Sequence, residues 1–130
     1  MKQSNEMVNL QVDQGLASLN AGYLRTYDGT EPATANAAIT TQTVLHETRY
    51  GSPAFLPAIG GSTSAAAIAD AAAIASGTPT WFRAYSIDGT TVRLQGSAGL
   101  GGTDLVVSAA PFTAGQTVSV LSHTYTLPKS

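Results

Sequence analysis

Apolar residues near the start of the chain recur at Val8, Val12, Leu16 and Leu19, spaced four, four and three. That spacing lines one face of a helix and predicts one over residues 6–20. Asn5 stands where an N-cap belongs, and Asn20-Ala21-Gly22 supplies a stop. Gly15 weakens the helix by about 1 kcal/mol relative to Ala, and Leu10 lies off the stripe. From Gly22 the period changes. Tyr23 to Tyr27 has strand composition and ends at the turn signal Asp28-Gly29. Thr30 to Thr40 is rich in Ala, Thr and Pro and reads as a loop. Thr43 to Tyr50 is a second strand, closed by Gly51-Ser52-Pro53, with Phe55 and Leu56 after it to cap the core.

Residues 60–78 are of low complexity: Gly60-Gly61-Ser62-Thr63-Ser64, then a run of Ala broken by Ile68, Asp70 and Ile74. Propensity favours helix there. The six-residue spacing of Ile68 and Ile74 suits alternation better, so a strand from Ser62 to Ala69 and an irregular stretch to Thr78 are expected. Further on, Thr80–Ser86 and Thr90–Gly96 flank Asp88-Gly89 and predict a hairpin. Leu105–Val107 is a short strand, and Thr117–Leu127 a long one whose alternation slips at Val120-Leu121, as at a bulge. Short strands between Gly, Pro and Asp turns predict a mainly β fold: one antiparallel β-sandwich or jelly-roll-like domain over residues 21–130. Residues 1–20 would form an N-terminal arm or helix.

Composition adds what the pattern leaves open. The chain has 130 residues, the size of one domain, and 11% are charged, against about 25% in an average soluble domain. Its mean hydropathy is +0.07. Neutral surface favours association, so an oligomer or a subunit of a larger assembly is expected. Net charge is −2 and the six Lys and Arg are scattered, which argues against nucleic acid as a partner. With no Cys there is no disulfide framework or thiolate site. The first six residues lack the apolar run of a signal peptide, and no apolar run reaches the ~18–20 residues of a membrane span. A protein made in the cytoplasm, with no membrane partner, is expected.

Candidate chemistry is sparse. His46 and His123 both fall on expected strands. A closed metal site takes three or four ligands, and the spacing supplies no others, so neither a metal nor another cofactor is expected. His46 and Glu47 are adjacent on a strand and point to opposite faces, while Glu47 and Arg49 share a face and could pair. Asp28 and Asp88 are explained by their turns. Gly99-Leu100-Gly101-Gly102-Thr103 resembles a phosphate loop only in composition, because a strand rather than a helix follows it. No catalytic residue is nominated. Trp81, Phe82 and Tyr85 are concentrated on one strand. Trp81 and Phe82 point opposite ways, so one ring lies in the core. The other is an interface anchor, a sugar platform, or covered by a second layer. Candidate interface residues are therefore Val8, Val12 and Leu16 on the helix, and Trp81, Phe82 and Tyr85 on the strand.

The order of four segments carries a resemblance. These are Leu24-Arg25-Thr26-Tyr27-Asp28-Gly29-Thr30-Glu31-Pro32, then Leu45-His46-Glu47-Thr48-Arg49-Tyr50-Gly51-Ser52-Pro53-Ala54-Phe55. Thr80-Trp81-Phe82-Arg83-Ala84 with Asp88-Gly89-Thr90 follows, and last Val118-Ser119-Val120-Leu121-Ser122-His123-Thr124-Tyr125-Thr126-Leu127-Pro128. Together with the leading helix they resemble a group of small virion structural proteins of tailed bacteriophages, over residues 8 to 128. His46 and the Ala run after Ala65 depart from that pattern. The resemblance implies a non-catalytic virion component, and a capsid decoration or cement protein on the major capsid protein is the expected role. A homo-oligomer is expected, and a trimer is one option, since it would match local threefold positions in a shell. A neck or tail connector, or a fibre-attachment module, is the structural alternative. A carbohydrate-binding module on the virion, with Trp81 or Tyr85 stacked on a sugar, is an alternative of another class, and a small glycan hydrolase is the weakest.

Overall fold

The computed structural model describes residues 1–126. Helix α1 spans Asn5–Ala17. Its N-cap is Ser4, one residue before the expected Asn5, with Oγ accepting from the Met7 amide at 3.2 Å. Val8, Val12 and Leu16 are buried, and Val12, Leu16 and Leu19 join the main core cluster. Residues 5–17 are thus part of the core, not an arm held away from it. The stripe is what the spacing predicted, and Leu10, off the stripe, is exposed. The chain then turns sharply, with Ala21 in the left-handed region at φ 56°. Gly22 follows because a Cβ there would lie 2.2 Å from the Tyr85 carbonyl oxygen.

Nine strands follow: β1 Tyr23–Tyr27, β2 Val44–Arg49, β3 Ser62–Ser64, β4 Ala71–Ala72, β5 Trp81–Tyr85, β6 Val92–Gly99, β7 Leu105–Val107, β8 Thr117–Val118 and β9 Val120–Thr126. Seven form one sheet in the order β2-β1-β5-β6-β7-β9-β3, and β4 pairs with β8 apart from it. The pairings are antiparallel except β6 with β7, which is parallel over Ala98↔Leu105 and Gly99↔Val106. The sheet is therefore mixed, where a purely antiparallel one was expected. Asp104 makes so short a parallel connection workable: its Oδ2 accepts from the Ser97 amide at 3.3 Å, and its own amide donates to Ser97 Oγ at 3.1 Å.

The large sheet is folded on itself. In a flat sheet β5 and β9, three strands apart, would lie roughly 14 Å from each other. Yet the rings of Phe82 on β5 and His123 on β9 are 5.0 Å apart, edge to face. The fold occurs along β6, which pairs with β5 as far as Ser97 and then with β7 at Ala98 and Gly99. The result is a β-sandwich with one short N-terminal helix among the described residues. Leu24, Leu45, Phe82, Leu105, Val107, Phe112 and Val118 form its centre.

Two segments differ from expectation. Only Ser62–Ser64 of the Ala-rich region is paired with β9, because the Ala66 amide leaves it for the Ala54 carbonyl at 2.9 Å. The rest runs beside β2 and is irregular except for β4, which pairs with β8; there the Ile74 amide donates to Leu45 O at 2.7 Å and Thr48 Oγ1 to Ala69 O at 2.6 Å. The last expected strand is split at Ser119 into β8 and β9. Its register against β7 slips between Val106↔Ser122 and Val107↔Val120, leaving Leu121 as the extra residue where a bulge was expected. Leu127 of that expected strand lies outside the described residues.

Candidate functional site

Two polar clusters stand out. The first lies on the outer face of β2, β1 and β5. Alternation turns Leu24, Thr26, Phe82 and Ala84 to the core, so Tyr23, Arg25, Tyr27, Trp81, Arg83 and Tyr85 point the other way. These six make a continuous ladder. The Arg49 guanidinium lies 4.3 Å from the Tyr23 ring centroid, and Arg25 lies over Tyr23 at 5.5 Å and Tyr85 at 4.4 Å. The phenol oxygens of Tyr85 and Tyr27 are 2.7 Å apart. Tyr27 stacks on Trp81 with centroids 4.2 Å apart, and Arg83 lies over Trp81 at 5.4 Å. Such cation–ring contacts are worth about 0.5–2 kcal/mol each. Burial, with the neighbouring Tyr85 next in importance, raises the Tyr27 phenol well above the ordinary tyrosine range.

Arg25 binds Glu47 through Nε at 2.5 Å and the Gly89 carbonyl at 3.0 Å. Glu47 therefore pairs across the strands with Arg25, not along its own strand with Arg49, which donates to the Ala21 carbonyl instead. The Arg25 pair sits opposite Glu47 in the β1–β2 register, where two side chains meet with less rotamer cost than two residues along one strand.

The second cluster is internal. His123 is 3% exposed. Its Nε2 is 2.7 Å from the Tyr50 hydroxyl, and its Nδ1 is 3.4 Å from the Asp104 carbonyl. A carbonyl can only accept, so Nδ1 carries the proton and the Tyr50 hydroxyl donates to Nε2. Phe55 and Phe82 pack on the same imidazole. Burial lowers the His123 pKa to about 4, against a smaller opposing effect of the Asp104 carbonyl, and burial raises the Tyr50 phenol. The pair is a neutral hydrogen-bonded strut between β9 and the end of β2. His46 is different. It is fully buried beside Phe112, both ring nitrogens lack a partner, and so does Oγ1 of Thr26, its cross-strand neighbour. Burial lowers the His46 pKa too, and Glu47 opposes this weakly.

The structure separates the two histidines into different clusters, and among the described residues no group of three His, Cys, Asp or Glu could hold a metal. The six nominated interface residues are all in intrachain contact. Val8, Val12 and Leu16 face the core from α1. Phe82 faces it from β5, and Trp81 and Tyr85, at 0% and 5% exposure, are buried on the outer face. None is a free interface anchor, and neither Trp81 nor Tyr85 offers a ring to a sugar. The reason is the covered outer face: Trp81 Nε1 donates to the Asp28 carbonyl at 2.9 Å, and Arg83 ties down the carbonyls of Thr34 and Ala37. Arg25, Arg83 and Gln95, which organise that face, were not nominated from sequence. The signal for the two arginines was the repeated alternation Tyr-Arg-Tyr at 23, 25 and 27 and Trp-Arg-Tyr at 81, 83 and 85; Gln95 had none.

The architecture defines the class, a mainly β sandwich with a docked N-terminal helix. Compared with protein-family models, curated proteins and solved structures, the chain matches none.

Proposed function

We propose that the chain is a non-catalytic structural subunit of a tailed-phage virion, a decoration or cement protein bound to the major capsid lattice. The observation that carries this reading is a surface poor in charged side chains, 11% of the chain, most of whose acidic groups are engaged within the chain. Asp13, Asp28, Asp88 and Asp104 accept from backbone amides of their own chain, Glu47 pairs with Arg25, and Glu31 accepts from Gln95. Large aliphatic side chains stand out instead: Ile59 is 82% exposed, Leu121 65%, Ile87 64%, Leu100 62% and Ile74 61%. Each alone is ordinary. Together, on a surface with few charges, they suit permanent contacts with other proteins. The resemblance of the four chain segments to small virion proteins supports the same reading.

The mechanism is clamping. A copy that buries such side chains across neighbouring capsomers binds the assembled shell better than its free subunits, and so stabilises the shell by mass action. Many copies on one lattice multiply the effect. Quantitative mass spectrometry of purified particles tests this. A ratio of one copy per capsid subunit, or one per three, is expected. About a dozen copies per particle would place the protein at the neck or tail instead, and absence from particles would overturn the structural reading.

A further inference from the structure

Residues 30–42 pass over the outer face of β1, β5 and β6, and their attachment is uneven. The feet are closed. The Asp28 amide donates to Thr43 O at 3.2 Å, the Thr43 amide to Asp28 Oδ1 at 2.7 Å, and Gln42 Nε2 to Thr30 O at 2.5 Å. Between the feet no residue from 31 to 41 is buried. Among the described residues, the hydrogen bonds from that stretch to the sheet run through two side chains. Arg83 Nη2 donates to Ala37 O at 2.5 Å and Thr34 O at 3.4 Å, and Gln95 Nε2 donates to Pro32 O at 2.8 Å and Glu31 Oε2 at 3.2 Å. Gln95 Oε1 in turn holds Arg83 Nε at 2.8 Å. Tyr27, Trp81 and Tyr85, on the same outer face, are at most 5% exposed.

We propose that residues 30–42 are a lid latched by Arg83, which swings as a unit about the Asp28–Thr43 pair and uncovers the Tyr27–Trp81 stack while the sandwich stays folded. A segment with no fully buried side chain, its Ile39 being 36% exposed, is held largely by its polar links, and such segments open at a fraction of the global unfolding free energy. The Arg83 latch holds less firmly than its two contacts alone would suggest. It is 4% exposed and, among the described residues, meets no carboxylate at ion-pair distance. Its charge regains water when the lid lifts, which offsets part of the loss of two carbonyl contacts. Gln95 is the subsidiary link, because it holds both the lid and the latch.

Trp81 is the one tryptophan of the chain, so its fluorescence reports on this face alone. The test is limited proteolysis of the full chain with thermolysin, followed by intact-mass analysis, with acrylamide quenching of Trp81 alongside. Cleavage before Ile39 is expected at a rate that low urea does not change, with the far-UV circular dichroism of the nicked protein retained. Arg83→Met is expected to speed that cut and raise the quenching constant, by about tenfold for the cut, the worth of one charged hydrogen bond. Cleavage of the unmodified chain only at its global unfolding rate, rising with urea, would overturn the lid. That measurement decides the matter even if Arg83→Met does not fold.

Discussion

At the scale of single residues, the core keeps polar atoms where an apolar side chain would serve. Thr26 Oγ1 and both His46 nitrogens are buried without partners, and each such atom costs about 1–3 kcal/mol. Thr26→Val keeps the shape and removes one of them. It is expected to raise stability by about 1 kcal/mol, read as a higher urea midpoint at unchanged slope; a loss of stability would show that Thr26 Oγ1 is satisfied in solution. His123 sets the pH response. Its folded pKa of about 4 lies below the ordinary histidine value of 6.5, so the unfolded chain takes the proton first. The stability that this histidine contributes is complete above pH 6.5 and is lost as pH falls towards 4. The difference is about 3 kcal/mol at pH 4. His46, shifted the same way by burial, adds to the loss. Urea titrations at pH 7.5, 5.5 and 4 measure it, and His123→Phe should flatten the profile. A curve equally steep without the imidazole would assign the effect elsewhere.

At the scale of elements, α1 is a wall of the core. Val8, Val12, Leu16 and Leu19 are each at most 5% exposed, and burying such a side chain stabilises by roughly 1.5–3 kcal/mol. Four of them approach the whole stability of an ordinary domain, about 5–15 kcal/mol. Deleting residues 1–20 should therefore abolish cooperative unfolding in a circular dichroism melt; a truncated chain melting within a few degrees of the full one would return the helix to the role of an arm. The stripe of α1 was legible in the sequence because helical spacing and burial coincide there. So were β1, β5 and the slip at Leu121, where alternation and turn residues agree. The Ala-rich run was not. Ala has no side chain large enough to mark an inward face, and its course beside β2 is fixed by backbone bonds to Leu45 and by Thr48. The aromatic strand was half legible. Alternation placed Trp81 opposite Phe82, but nothing local showed that Arg83 would draw a distant loop across the outer ring.

At the scale of the whole molecule, the surface matters more than the interior. If the exposed aliphatics carry the lattice contacts, Ile59→Ser, Ile87→Ser and Leu100→Ser should leave stability within about 0.5 kcal/mol. The same changes, combined, should reduce the number of copies retained on washed particles several-fold. Full retention by the triple variant would show that these side chains do not carry the contacts.

The folded-over sheet also governs when the molecule can form. Tyr50 and His123 lie 73 residues apart in the chain and share one hydrogen bond. Ser62 to Ser64 pair with Thr126 to Thr124. The β3–β9 pairing, the Tyr50–His123 bond and the Phe82–His123 contact thus form only once residues 120–126 have been synthesised. Contacts so remote in sequence place such folds in the millisecond-to-second range.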